Sequence, residues 1–80
     1  MAHKSLYTKA HVALRERLVA GRVAAGLTQQ QLAKRLRRPQ SFVSKYEGGE
    51  RRLDIIELID ISSEIDLDLI ELLKLLRRYR

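Results

Sequence analysis

The chain has 80 residues, a net charge of +6 and no cysteine. One small domain spanning residues 1–80 is expected, with a modest core that a partner chain would help to stabilise. Disulfides, thiolate zinc sites and thiol nucleophiles are excluded, and His3 and His11 lack the carboxylate or thiol spacing of a metal site, so neither metal nor cofactor is expected.

Strand signals are absent and helical spacing runs throughout, so an all-α chain of five helices is expected. The first runs from about Leu6 to Ala25, with Tyr7, Ala10, Leu14, Leu18, Gly21 and Ala25 facing inward. Gly26 then serves as a C′ glycine and Leu27 closes the cap. Gly21 costs stability inside that pattern unless a neighbouring helix approaches closely. The second helix starts at Thr28. "TQQQ" reads as a capping box, the Thr28 hydroxyl capping the backbone and Gln31 reaching back. Leu32, Ala33 and Leu36 face inward, and the helix ends near Arg37. The third begins at Pro39, a residue suited to the first helical position, and stops at Gly48-Gly49; Pro39, Val43 and Tyr46 face inward. The fourth spans roughly Asp54 to Glu64 with Ile55, Leu58, Ile59 and Ser62 as its stripe. The fifth spans about 68–78. It opens on "DLIE", with Asp68 at the cap and Glu71 three residues on, and carries Leu69, Leu72, Leu73 and Leu76 on one stripe. Its closing "RRYR" puts cations at a helix C-terminus.

Charge is divided along the chain. Residues 1–52 hold twelve Lys or Arg against three Glu, a balance of +9. Residues 53–80 hold four against seven Asp or Glu, a balance of −3. A basic body fits a polyanion better than it fits mere solvation of helices. The connection between the second and third helices is about two residues, Arg37-Arg38, and so short a link forces the sharp angle of a helix-turn-helix. The outward residues of the third helix are Gln40, Ser41, Ser44 and Lys45. Gln pairs bidentately with adenine, Lys donates to guanine and Ser serves several base edges. A recognition helix reads the major groove with its leading residues, where Gln40 and Ser41 stand. No apolar run approaches the roughly 20 residues of a bilayer span, and the N-terminus has no signal-type apolar stretch. The chain is therefore expected to be soluble and cytoplasmic, with no membrane partner.

"GLTQQQLAKRL…PQSFVSKYEGGERRLD" resembles the Cro and phage-repressor type of helix-turn-helix, the XRE family of bacterial regulators. The resemblance covers about Leu14 to Leu73. It implies a five-helix, lambda-repressor-like domain that binds operator DNA, usually as a dimer, in the bacterial or phage-infected cell and at the nucleoid. By position, it makes Gln29 a phosphate contact at the start of the second helix, where free N–H groups independently favour an anion. It makes Gln40 and Ser41 the leading base-contacting pair, Ser44 and Lys45 later contacts, and Arg22 and Glu47 an ion pair between the first and third helices. The family usually has Gly where this chain has Arg37. A non-Gly residue in left-handed geometry costs about 1 kcal/mol, and Arg37, with Arg38, adds a cation for phosphate. Gly48 replaces a longer polar residue, and Arg51 and Arg52 supply the phosphate contact instead. Asp66 stands where Gly often ends the fourth helix, in a geometry that Asp tolerates. Phe42 lies between the core and DNA stripes, where it either packs or meets a thymine methyl; packing is the expectation.

The fifth helix carries more apolar residues than one stripe needs. Ile70, Leu73, Leu75 and Leu76 are expected to form a two-fold dimer interface, joined by Ile56 and Ile61 of the fourth. The alternative is a crowded monomer core. Two functions fit these residues. One is a sequence-specific regulator of transcription, most simply a dimeric repressor on double-stranded DNA. The other is an antitoxin that neutralises a protein partner and autoregulates through DNA. An enzyme is not expected, for no nucleophile–base–acid constellation or phosphate-cradling glycine loop is present.

Overall fold

Thr8 opens the first helix: its Oγ1 accepts the backbone N–H of His11 at 3.2 Å. The structure, a computed structural model, describes residues 8–79 and contains helices α1 (Lys9–Ala24), α2 (Gln29–Leu36), α3 (Gln40–Glu47), α4 (Ile55–Glu64) and α5 (Leu69–Arg77). Among the described residues there is no strand, and no helix is long and apolar enough to cross a membrane. The expected inward position of Tyr7 lies outside the described residues, and Ala25 is exposed at the α1 C-cap.

Side chains set most helix starts. At α2, Gln31 N–H donates to Thr28 Oγ1 at 3.0 Å and Thr28 N–H donates to Gln31 Oε1 at 2.9 Å, the reciprocal capping box expected there. Asp54 and Glu57 make a second reciprocal box at α4, at 2.7 and 3.0 Å. At α5, Asp68 accepts from Glu71 N–H at 3.2 Å. Pro39 differs from expectation. It is the N-cap of α3, with ψ 153° and its carbonyl accepting from Phe42 N–H at 3.0 Å, not the first helical residue. It is also exposed rather than inward, because the chain is still extended there.

Helices α1 to α4 end alike. Each closes with a residue at positive φ, namely Gly26, Arg37, Gly49 and Asp66. In each, that residue's N–H reaches back three residues and the next N–H reaches back five, as in Arg37 to Lys34 at 3.1 Å and Arg38 to Ala33 at 3.0 Å. These are Schellman closures, which satisfy the last carbonyls of a helix. Arg37 (φ 58°) and Asp66 (φ 55°) adopt the left-handed geometry without being glycine.

The helices pack α1 on α3 and α5, and α2 on α3 and α4. Leu18, Leu32, Val43, Tyr46, Ile61 and Leu72 are wholly enclosed. Gly21 lets α1 run close to the α4–α5 turn: a Cβ there would stand 2.8 Å from Ile65 Cδ1. Two expectations for α4 are corrected. Ile55 and Ile59 are exposed, and Ile61 is fully buried. The buried stripe is Leu58, Ile61, Ser62 and Ile65, one helical step on from the expected one. Both stripes have helical spacing and share Leu58 and Ser62. On α5, Leu72 is buried and Leu69 and Leu76 pack against the core, whereas Ile70 and Leu73 face outward.

Candidate nucleic-acid interface

The turn between α2 and α3 is Arg37-Arg38-Pro39. Its left-handed first residue and extended last residue redirect the chain so that α3 leaves at an angle to α2. The two helices pack directly on one another. Phe42, Val43 and Tyr46 anchor α3 in the core. The opposite side then carries Gln40, Ser41, Ser44 and Lys45, all exposed. Ser44 Oγ donates to the Ser41 carbonyl at 3.2 Å, which pins that hydroxyl to its own helix. Phe42 is buried, edge-on to Tyr46 with ring centroids 5.4 Å apart, so it packs as expected.

Two carboxylates organise the cations around this helix. Glu47, at the end of α3, accepts from Arg22 Nε at 2.8 Å and Nη2 at 3.1 Å, while Arg22 Nη1 donates to the Leu27 carbonyl at 2.8 Å. The bonds to Glu47 hold the Arg22 guanidinium above its ordinary pKa, against the opposing effect of burial. Glu47 Oε1 also accepts from Gln29 Nε2 at 2.8 Å. The Gln29 side chain is thus tied inward, which leaves the backbone N–H groups of this turn as the donors open to an anion at this position. The N–H groups of Gln29 and Gln30 precede the first bond of the helix, Leu32 N–H to Thr28 carbonyl at 3.0 Å, and such first-turn donors suit an anion.

Glu57, at the head of α4, is the second centre. It accepts from Arg38 Nη2 at 2.6 Å and from Arg51 Nη1 and Nη2 at 2.9 Å each. The guanidinium carbons of Arg38 and Arg51 lie over the Phe42 ring, 4.1 and 4.8 Å from its centroid. Hydrogen bonds from Arg51 foremost, then from Asp54 N–H and Arg38, draw the Glu57 carboxyl down to about 2 against the effect of burial. Two arginines expected to contact phosphate are therefore already engaged by one carboxylate. Arg51 Nη1 also donates to the Arg52 carbonyl at 2.7 Å, and Arg37 and Arg52 are exposed.

Sequence reasoning did not single out Glu57 or Arg15. "DIIE" has the same cap spacing as "DLIE", so the capping role of Glu57 was available in the sequence; its arginine partners were not. Arg15 lies against Gly49, its guanidinium carbon 3.0 Å from where a Cβ would stand. Burial first, then Arg15 and Arg52, hold His11 below its ordinary pKa, so positive charge gathers where α1 meets the loop after α3. At the far end of the chain, Ile70 and Leu73 are exposed, and Leu75 and Leu76 are half-buried.

A helix-turn-helix family model matches residues 18–72. Among solved structures, an XRE-family like protein from Pseudomonas syringae pv. tomato str. DC3000 is 48% identical, with a TM-score of 0.84 over 96% of this chain and 94% of that one. No curated protein matches the chain. A lambda-repressor-like arrangement of five helices, a helix-turn-helix at α2 and α3, the family match and this likeness agree: the chain belongs to the XRE family of helix-turn-helix, DNA-binding transcriptional regulators.

Proposed function

We propose that the chain is a sequence-specific regulator, most simply a repressor, that binds a near-palindromic operator as a two-fold dimer. One observation carries the reading. The buried residues Phe42, Val43 and Tyr46 lock α3 in place, while Gln40, Ser41, Ser44 and Lys45 stand exposed on its other side. A short helix so presented, after a tight turn from α2, fits the major groove with its leading end toward the bases. Gln40 is then the principal base reader, Ser41 and Lys45 flank it, and the first-turn N–H groups of α2 take a phosphate. Dimerisation is supported by the exposed apolar side chains of α5, Ile70 and Leu73, beside half-buried Leu75 and Leu76. In a two-fold pair the same patch meets itself.

Gln40→Ala tests the role of α3. Binding to a duplex enriched from a random pool by the wild-type chain should weaken by about 1–3 kcal/mol and lose preference at one base pair. Binding to a scrambled duplex of the same length should not change. Equal losses on both duplexes would remove Gln40 from base reading.

A further inference from the structure

Glu57 presents a problem of sign. It is an acid set among the cations that a DNA-binding surface needs, and Coulomb's law makes any carboxylate there repel phosphate. Its placement is elaborate. Oε1 accepts from Asp54 N–H at 3.0 Å and Arg51 Nη1 at 2.9 Å, and Oε2 accepts from Arg38 Nη2 at 2.6 Å and Arg51 Nη2 at 2.9 Å. Four donors fill the four acceptor positions of a carboxylate. They come from three places in the chain: the turn into α3, the loop after α3 and the cap of α4. The Glu57 side chain lies inward at 13% exposure, while those of Arg38 and Arg51 lie outward at 38% and 37%. Both guanidiniums rest over Phe42, which is itself fixed in the core on Tyr46. Leu36, Arg38, Phe42, Glu57 and Asp60 line a small crevice at this point.

An inner carboxylate beneath two outer arginines orders them. Arginine side chains lose up to about 2 kcal/mol of rotamer freedom when immobilised. Here that loss is already incurred in the free protein, so less is left to incur on binding. We propose that Glu57 is a positioning residue for DNA recognition: it holds Arg38 and Arg51 on Phe42, and so fixes the entry into α3 and the cations on either side of it. The role rests on the reading of α3 as the groove-reading helix. Glu57 does not touch DNA in this account; it acts through the two arginines.

The sign of one substitution distinguishes positioning from charge. Glu57→Gln keeps an acceptor for Asp54 N–H and removes a negative charge. If charge alone mattered, it would tighten binding to every duplex. The positioning role predicts roughly tenfold weaker binding to the duplex enriched by the wild-type chain, with unchanged or tighter binding to a scrambled duplex. Glu57→Asp keeps the charge but withdraws the carboxylate by one methylene, and it too should lose affinity for the enriched duplex alone. In an R38Q/R51Q background, adding E57Q should change that affinity by less than about twofold, since nothing is left to position. All variants are compared at a temperature where their circular dichroism matches wild type. An E57Q protein that binds the enriched duplex as tightly as wild type overturns the proposal. So does an E57D protein indistinguishable from wild type, or a full loss that persists in the R38Q/R51Q background. A wild-type chain that enriches no duplex at all would instead overturn the groove-reading function, and this role with it.

Discussion

Glu47 and Glu57 do similar work at opposite ends of α3. Each gathers donors from segments far apart in the chain, Arg22 and Gln29 for Glu47, Arg38 and Arg51 for Glu57. Their energetic weights differ with burial. The Arg22–Glu47 pair is largely enclosed, so losing one partner would strand the other charge and cost several kcal/mol. The arginines on Glu57 are more open to solvent, where an ion pair contributes up to about 1 kcal/mol. Glu57 nonetheless leaves a mark on the pH dependence of stability. Its carboxyl sits at about 2 in the folded chain, against an ordinary value of 4.5. A depressed carboxylate stabilises the fold fully above its unfolded pKa and loses that contribution as pH falls toward the folded one. The difference in thermal midpoint between wild type and Glu57→Gln should therefore be constant from pH 7 to about 5 and shrink between 4.5 and 2. A difference that holds steady to pH 2 would show that the carboxylate is not engaged as described.

At the scale of the element, the short-range devices were legible and the long-range ones were not. A capping box at Thr28 or a cap at Asp68 has both partners within three residues, so the spacing alone reveals it. The place of the turn into α3 was legible for the same reason, with Arg37 in a glycine's place, but Pro39 is its extended N-cap and not the first helical residue. The phase of α4 was not. Ile55, Ile56, Leu58, Ile59 and Ile61 leave few polar positions to mark an outer face, and two stripes fit the same spacing. Only packing against the neighbouring helices selects Leu58, Ile61, Ser62 and Ile65. Gln29 shows the other limit: its position at a helix start was readable, but its bond to Glu47, 18 residues on, depends on how α2 and α3 meet. The left-handed Arg37 gives the turn a testable energy. Arg37→Gly relieves a backbone cost of about 1–2 kcal/mol, offset in part by the greater freedom of glycine in the unfolded chain. Its midpoint in urea should therefore rise, with the slope unchanged. A fall would mean that the Arg37 side chain contributes more than its backbone costs.

For the whole molecule, Arg37, Arg38, Arg51 and Arg52 flank α3 in the chain, and exposed apolar side chains lie on α4 (Ile55, Ile56 and Ile59) and on α5 (Ile70 and Leu73). This division suits a protein that meets DNA with one side and its own copy with another. Ile70→Asp puts a charge at the centre of the patch proposed for self-association. By light scattering, the wild-type chain should be a dimer at micromolar concentration and Ile70→Asp a monomer of equal helical content; a monomeric wild type would remove the two-fold account. The most direct test of that account is to select bound duplexes from a random pool and read their symmetry. Two α3 helices on consecutive major grooves require two inverted half-sites whose centres lie about 10–10.5 base pairs apart, roughly 34–36 Å. Enrichment of such paired half-sites is the expected result. Enrichment of a single unpaired half-site, or of no sequence over the random pool, would contradict it.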